Sequence, residues 1–346
     1  MVRINISKNF QKNRGIRMGI STSELRGSVI FISGGTGSFG SSFIDYLQGS
    51  NAKFIVYSRD ESKQYDMFLE RRDKNISYIV GDVRDKQKLI YSMQGVDYVI
   101  HAAALKHVPT GENFPEEVIN TNILGTKNVI EAAEYCGVKR LVFLSTDKAA
   151  YPIGGYGMSK AIAEKVVLAH RGKTVNVCLR YGNVLGSRGS IIPLFLGMIN
   201  RGEPITITNP YMTRFILTLE EAVKLALKCL SDGKNGELFI MKPPACKIGA
   251  VVEALELHFG RTLEKTIIGV RPGEKMHEVL LTGAEVYRSV IEREDDITYA
   301  KIEAQQPTNY YFCGEDYIEP EPYSSHNASQ YNAKQVLNKL KEAQLL

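Results

Sequence analysis

The β-branched and aromatic run from Val29 to Ser33 passes directly into Gly34-Gly35-Thr36-Gly37-Ser38-Phe39-Gly40 and then into an apolar helical stretch. Few folds accept this order. Glycines at 34, 37 and 40 permit a tight turn and let the backbone approach a pyrophosphate, which then rests on the free N–H groups and positive dipole end of the helix. A glycine pattern alone is also an ordinary loop. The strand before it, the helix after it and a second strand at the expected distance favour dinucleotide binding, with Gly34, Thr36, Gly37, Ser38, Phe39 and Gly40 around the cofactor.

The rhythm that follows supports the same fold. Phe54 to Ser58, Tyr78 to Val80, Tyr98 to His101 and Leu141 to Ser145 read as strands, with helices such as Phe43 to Leu47 and Glu116 to Tyr135 between them. Nearly continuous apolar strands separated by helices imply a parallel sheet buried on both faces, joined by right-handed crossovers. The expected fold class is therefore α/β, a Rossmann-like doubly wound parallel sheet. After Tyr181 Gly, Pro and polar residues punctuate the chain, marking a smaller interleaved C-terminal substrate lobe. The expected division is an N-terminal arm over 1–27, a cofactor domain over 28–182 and a mainly substrate-binding lobe over 183–346, with a final amphipathic helix from Ala333 to Leu346.

At the tip of the second strand an NAD enzyme usually places a carboxylate against the ribose diol. Here Ser58 and Arg59 stand there, and a guanidinium pairs bidentately with a 2′-phosphate, which favours NADP. Asp60 keeps NAD open, and Arg59 is otherwise a solvated surface charge. Asp82, after the third strand, either faces an adenine ring or caps a turn; Val83, Ala102 and Ala103 are expected to line the same cofactor.

The fifth strand ends in Ser145-Thr146-Asp147-Lys148, and Tyr156 and Lys160 follow one helical turn apart on one face. Read chemically, Lys160 lowers the phenol pKa and holds the nicotinamide ribose, Thr146 hydrogen-bonds a substrate hydroxyl, and Tyr156 removes its proton as hydride leaves. A tyrosine and a lysine also share amphipathic helices by chance, but the glycine loop upstream favours the chemical reading. Asp147 and Lys148 add an acid and a base that a simple dehydrogenase does not need. A dehydratase needs both: oxidation at C4 of a hexose acidifies the C5 proton and makes the C6 hydroxyl a β leaving group. Lys148, deprotonated by burial and nearby positive charge, would take the C5 proton, and Asp147 would protonate the departing hydroxyl. The alternative is that the pair caps and screens the strand end.

Composition limits the partners. The net charge of +5 is spread over 43 basic and 38 acidic residues, with no basic stripe of the kind nucleic acids require. An anionic small molecule is the expected ligand. The longest apolar runs fall short of a membrane span, and Met1 to Gly27 lacks the apolar centre of a secretory signal. Five cysteines at wide spacings, with no CxxC pair, suit neither a disulfide framework nor a zinc site and fit a reducing cytoplasm.

Taken together, Tyr57-Ser58-Arg59-Asp60, Gly81-Asp82-Val83-Arg84-Asp85, the segment from His101 to Pro109, Ser145 to Ala150, Arg180 to Val184, Gly186 to Ser190, Met212 to Phe215, Arg271 to Lys275 and Tyr323 to Asn327 resemble the UDP-N-acetylglucosamine 4,6-dehydratases, extended short-chain dehydrogenases of bacterial surface-sugar pathways. The match runs from Ser28 to Asn327. The resemblance implies a homo-oligomer with bound NADP that makes a 4-keto-6-deoxy sugar, often with inversion at C5, using Asp147, Lys148 and Tyr156. The lysine at 148, where dTDP-glucose dehydratases carry glutamate, points to the aminosugar branch. Gly154-Gly155 and Thr110-Gly111 depart from the family pattern at loops expected to border the sugar.

A nucleotide diphosphate needs cationic clamps and backbone donors, and Asn183, Arg188, Arg214 and Arg271 in the second lobe are the candidates, with Glu274 for the nucleotide ribose. Lys106 lines the sugar pocket in this reading; His107 either does so or is structural. No histidine has a partner at metal-ligand spacing, so no metal is expected. Two other functions stay open: a nucleotide-sugar 4-epimerase using Thr146, Tyr156 and Lys160, and an NADP-binding regulator without chemistry.

Overall fold

Alternation in the strands builds the core. Successive side chains of a strand point to opposite faces. In Val29–Ser33 (β1), Ile30 and Ile32 therefore join one apolar layer while Phe31 joins the other. A computed structural model describes residues 25–187, 189–270, 273–294, 296–304 and 319–346. Most of the expected N-terminal arm, together with Arg188, Arg271 and Cys313, lies outside the described residues.

Strands β1, Lys53–Ser58 (β2), Ile76–Val80 (β3), Tyr98–His101 (β4), Arg140–Leu144 (β5) and Val175–Arg180 (β6) pair in parallel, and Leu238–Met241 extends the parallel set beyond β6. The order β3-β2-β1-β4-β5-β6 reverses direction at β1, so a crevice opens at the carboxyl ends of β1 and β4, where ligands of such sheets bind. An antiparallel hairpin, Ser289–Glu294 with Ile297–Ile302, closes the far edge and makes the sheet mixed, with nine strands. The α/β Rossmann-like class is as expected, and the antiparallel edge is an addition to it.

Helices cover both faces. Ser38–Tyr46 (α1), Glu61–Arg71 (α2) and the helix Leu219–Asp232 pack on the layer of Ile30, Val56, Val142 and Leu179. Lys86–Ser92 (α3), Gly125–Tyr135 (α6) and Gly155–Ala169 (α7) pack on the layer of Phe31, Val99, Phe143 and Cys178. Between α3 and α6 lie two short helices, Val108–Asn113 (α4) and Pro115–Val118 (α5), and a π-helical turn, Ile119–Leu124. The single helix expected over Glu116 to Tyr135 is therefore widened in its first half. A third apolar cluster, with Phe195, Ile205, Val251, Leu255, Val336 and Leu340, sits among segments after Asn183. The chain leaves the main sheet to build that cluster and returns to it at Leu238 and at Ser289. The final helix covers Ala333–Glu342.

Candidate functional site

A cleft of about 960 Å³ opens along the carboxyl ends of β1, β4 and β5 and extends to the segment after β6. At its floor Gly34 takes a left-handed φ of +68°, and a Cβ there would stand 2.8 Å from the Ala103 backbone nitrogen. Only glycine fits. Helix α1 starts beyond it with Gly37 at the N-cap, no side-chain cap and no acidic residue in its first turn. Its first N–H groups thus face the cleft without an anion of the protein's own, the arrangement a pyrophosphate uses. All six glycine-loop residues expected to contact a cofactor line the cleft, as do Val83, Ala102 and Ala103.

The end of β2 is polar and cationic. Thr36 donates a hydrogen bond to the Ser58 hydroxyl at 3.0 Å, and Ser58, Arg59 and Lys63 line the cleft side by side. Lys63 was not foreseen. Asp60 lines the cleft as well; it caps α2 by accepting from the Lys63 amide at 3.0 Å and pairs with the Lys63 ammonium. Asp82 does not line the cleft; its carboxylate accepts from the Arg84 amide and guanidinium at 2.7 to 2.9 Å and stands 3.7 Å from Arg59. Asp82 thus caps its turn, between Gly81 and Val83, which both line the cleft.

The floor between the glycine loop and the catalytic strand is held by His101 and Asn122. Thr126 donates its hydroxyl proton to the Asn122 carbonyl at 2.6 Å, so it accepts from His101 Nε2–H at 3.0 Å, leaving Nδ1 to accept from the Ser33 hydroxyl at 2.6 Å. Burial, with the nearby Lys160 charge, pushes the His101 pKa down to about 3, so the ring is neutral. Asn122 accepts from the Leu105 amide at 2.8 Å and donates to the Leu105 carbonyl at 2.9 Å and to Ser159 at 3.0 Å. It therefore fixes the loop that carries Lys106 and His107, both of which line the cleft. The π turn aims this side chain, as such turns often do at functional sites.

Thr146, Asp147, Lys148, Tyr156 and Lys160 converge on the cleft. Thr146 donates to Asp147 Oδ1 at 2.8 Å. Lys160 is buried, donates to the Leu144 carbonyl at 2.6 Å and stands 3.7 Å from the centre of the Phe143 ring. Burial brings its pKa down to about 7, against the smaller pull of Glu164. The Tyr156 phenol is raised by burial, while the Lys148 charge and a hydrogen bond with Thr146 act to lower it. Lys148 is thus one cation that favours the phenolate, and Lys160 lines the same cleft.

Lys148 differs most from expectation. Burial by itself would strip its proton, yet Asp147 Oδ1 at 3.2 Å and Glu278 Oε1 at 3.1 Å outweigh burial and raise its pKa above the ordinary lysine range. The predicted neutral amine is corrected to an ammonium, because the charges nearest to it are mainly negative. Glu278, which sequence reading missed, is 3 % exposed and arrives from 130 residues downstream. No periodicity announces such a contact.

The mouth of α7 explains the two unusual glycine pairs. Gly154 offers no side-chain cap, and the Gly155 amide instead donates to Glu112 Oε1 of α4 at 2.8 Å. A Cβ on Gly155 would meet the Gly111 carbonyl oxygen at 2.7 Å, and one on Gly111 would meet the Tyr156 nitrogen at 3.1 Å. The two departures from the family pattern are thus one backbone contact beside Tyr156. Of the expected substrate ligands, Asn183 lines the cleft. Arg214 and Glu274 do not; they pair at 3.1 Å, and Arg214 also donates to the Thr213 carbonyl at 2.8 Å. Among the described residues no helix is long and apolar enough to cross a membrane.

Residues 30–300 match the family model described as "Polysaccharide biosynthesis protein". The chain is 40% identical over 328 residues to a protein named UDP-glucose 4-epimerase from Rickettsia prowazekii, covering 89% of this chain and 94% of that one. The like-named protein of Rickettsia bellii is 42% identical over the same length and shares. Among solved structures, that of Pen from Bacillus thuringiensis superposes with a TM-score of 0.81 at 33% identity, covering 92% of this chain and 99% of that one. The structure of DesIV, a dTDP-glucose 4,6-dehydratase from Streptomyces venezuelae, superposes with a TM-score of 0.65 at 21% identity over 72% and 86% of the two chains, which speaks to fold alone. On the family match and the identity to these relatives, the chain belongs to the polysaccharide biosynthesis protein family.

Proposed function

We propose that this protein is an NADP-dependent nucleotide-sugar 4,6-dehydratase acting on UDP-N-acetylglucosamine, producing a UDP-4-keto-6-deoxy-N-acetylhexosamine. One observation carries the reading: an acid and a base, Asp147 and Lys148, face the cleft beside the tyrosine–lysine pair. A dinucleotide fits the open glycine floor and the uncapped start of α1. A 2′-phosphate suits the cations Arg59 and Lys63 beside Ser58, which line the cleft together. The bound cofactor supplies reversible hydride acceptance.

In this reading Tyr156 takes the C4 hydroxyl proton as C4 is oxidised. Transfer of one Lys148 proton to Asp147, 3.2 Å away, gives the free amine, which takes the C5 proton that the new ketone has acidified. Asp147, protonated, gives its proton to the C6 hydroxyl, which leaves as water. Lys148 then holds one proton and Asp147 has lost one, the charge pair that stands 3.2 Å apart here. Lys148 gives a proton back to C5 to complete the product, and the cofactor that the glycine floor would hold would supply to C6 the hydride accepted from C4. The remaining proton passes from Tyr156 to Asp147 through the Thr146 hydroxyl, which reaches Asp147 at 2.8 Å. Lys106, His107 and Asn183 line the expected sugar and diphosphate end. Arg188 and Arg271 remain the proposed diphosphate clamps, and a homo-oligomer is the proposed assembly.

The names of the Rickettsia relatives favour a second reading, a 4-epimerase in which Asp147 and Lys148 stay structural. Incubation with UDP-N-acetylglucosamine, and in parallel UDP-glucose, in deuterated water separates the two by mass spectrometry and NMR. Loss of water with deuterium at C5 supports the dehydratase, and the C5 couplings assign retention or inversion. Unchanged mass with an inverted C4 replaces it by the epimerase.

A further inference from the structure

Glu278 has no part in the chemistry set out so far, yet it reaches from the second lobe to within 3.1 Å of the Lys148 ammonium. Its backbone amide donates to the Ser325 hydroxyl at 2.8 Å, and that hydroxyl in turn donates to the Thr213 carbonyl at 3.1 Å, so three distant segments fix its position. One carboxylate oxygen touches Lys148 at 3.1 Å and stands 3.8 Å from Arg214 Nε. The other, Oε2, is buried without a hydrogen-bond partner among the described residues, and the same holds for Asp147 Oδ2. A buried carboxylate with an orphaned oxygen is costly unless a charge holds it. Lys148 is the charge it approaches most closely.

We propose that Glu278 is the positioning residue of Lys148: reaching in from the second lobe, it fixes the ammonium against Asp147 and strengthens Lys148 as a base. The groups that face Lys148 are Asp147 from its own turn, Tyr156 from α7, and Glu278 and Arg214 from the second lobe, with Lys275 near Glu278 and Asp147. Among the described residues, Asp147 and Glu278 are the carboxylates paired with the ammonium. A carboxylate beside the protonated product of the C5 step lowers the energy of that product, so the lysine takes the proton more readily. The hold on Lys148 stands on the geometry alone; its use at C5 rests on the dehydratase reading.

The test is competitive labelling of the whole protein with acetic anhydride across pH 7 to 10, read at the Lys148 peptide by mass spectrometry. It needs no turnover. Wild-type Lys148 is expected to label far below exposed lysines, and Glu278→Gln, which keeps the shape and removes the charge, is expected to raise labelling about tenfold or more, the effect of one pKa unit. Glu278→Asp retains the charge and is the control if the glutamine variant folds poorly; it is expected to stay closer to wild type. If the dehydratase reading holds, Glu278→Gln also moves the acid limb of the kcat profile to lower pH and lowers the plateau kcat with KM little changed. Wild-type Lys148 labelling like a surface lysine, or equal labelling in folded wild type and Glu278→Gln, overturns the proposal. Absence of dehydration with labelling shifted as expected removes the dehydratase reading and leaves the hold on Lys148 intact.

Discussion

Tyr156 sits where burial and charge pull its phenol in opposite directions, and the balance depends on Lys148 and Thr146 as much as on the helix that carries it. Removing the hydroxyl should therefore abolish the C4 step while sparing the binding floor. Tyr156→Phe is expected to lower kcat by about 10²- to 10⁴-fold with NADP affinity near wild type, checked by turnover alongside fluorescence titration of the cofactor. Normal turnover in the phenylalanine variant would remove Tyr156 from the chemistry. Arg59 belongs to the same scale. Its guanidinium is half exposed and only loosely engaged with Asp82 at 3.7 Å, leaving it able to turn toward a 2′-phosphate. Arg59→Ala should weaken NADP by about 1.5–3 kcal/mol, the range of a hydrogen bond to a charged group, and leave NAD almost untouched. Equal losses for both cofactors would place the 2′-phosphate elsewhere.

At the scale of elements, the start of α7 is a joint between two parts of the chain. The helix begins at two glycines, and its first amide finds an acceptor only in Glu112 of α4. A carboxylate at a helix start also meets the positive dipole end, worth about 0.3–1 kcal/mol. Gly155→Ala adds a methyl 2.7 Å from the Gly111 carbonyl oxygen, a backbone atom that cannot swing aside, so α7 has to shift at the turn before Tyr156. We expect Gly155→Ala to reduce kcat more than Glu112→Gln does. Thermal unfolding should show only a modest loss in both, and a Gly155→Ala enzyme with wild-type kcat would mean that the contact does not position Tyr156. The glycine pairs were visible in the sequence as oddities, but their mutual contact was not. Legibility followed sequence distance throughout. β1 and β4 could be read to the residue from apolar runs and the glycine loop, because those signals are local. The π turn at Ile119–Leu124 was hidden because its residues are ordinary helix formers, and Asn122 with them. Glu278 and Glu112 were missed because each acts on a residue 130 and 43 positions away, where no motif or period links the partners. Arg214 and Glu274 were read from their charges; the sequence does not record that the two meet.

At the scale of the whole molecule, a buried cation at the carboxyl ends of the sheet strands holds the second lobe in place. Arg180, at the end of β6, is 2 % exposed and binds Glu164 of α7 at 2.6 and 2.9 Å, Glu285 of the helix Gly283–Arg288 at 2.8 and 2.9 Å, and the Leu280 carbonyl at 2.9 Å. Two carboxylates from different parts of the fold thus share one guanidinium. Removing one partner of such a group leaves uncompensated charge in the interior, a loss of about 3–5 kcal/mol. Arg180→Met should lower stability by that order near pH 7, measured by urea unfolding. The pH dependence has a definite sign. Burial would raise the Glu285 pKa, but Arg180 outweighs it and holds the folded-state value below the unfolded one. Its contribution is therefore complete above the unfolded glutamate pKa of about 4.3 and is lost as pH falls through the folded value. Without the guanidinium, burial dominates and Glu285 binds a proton more readily in the folded protein, which relieves the buried charge on acidification. The gap between wild type and Arg180→Met should accordingly narrow as pH drops from about 6 toward 4. A gap that stays constant over that range would mean that the loss comes from packing and that the three charges do not act as a unit. Because Arg180 ends β6, the strand next to β5, and Glu285 lies four residues beyond Leu281, the same pair sets how the segment bearing Glu278 meets the turn of Asp147 and Lys148. The methionine variant should then also raise labelling of Lys148, linking the stability of the joint to the charge at its centre.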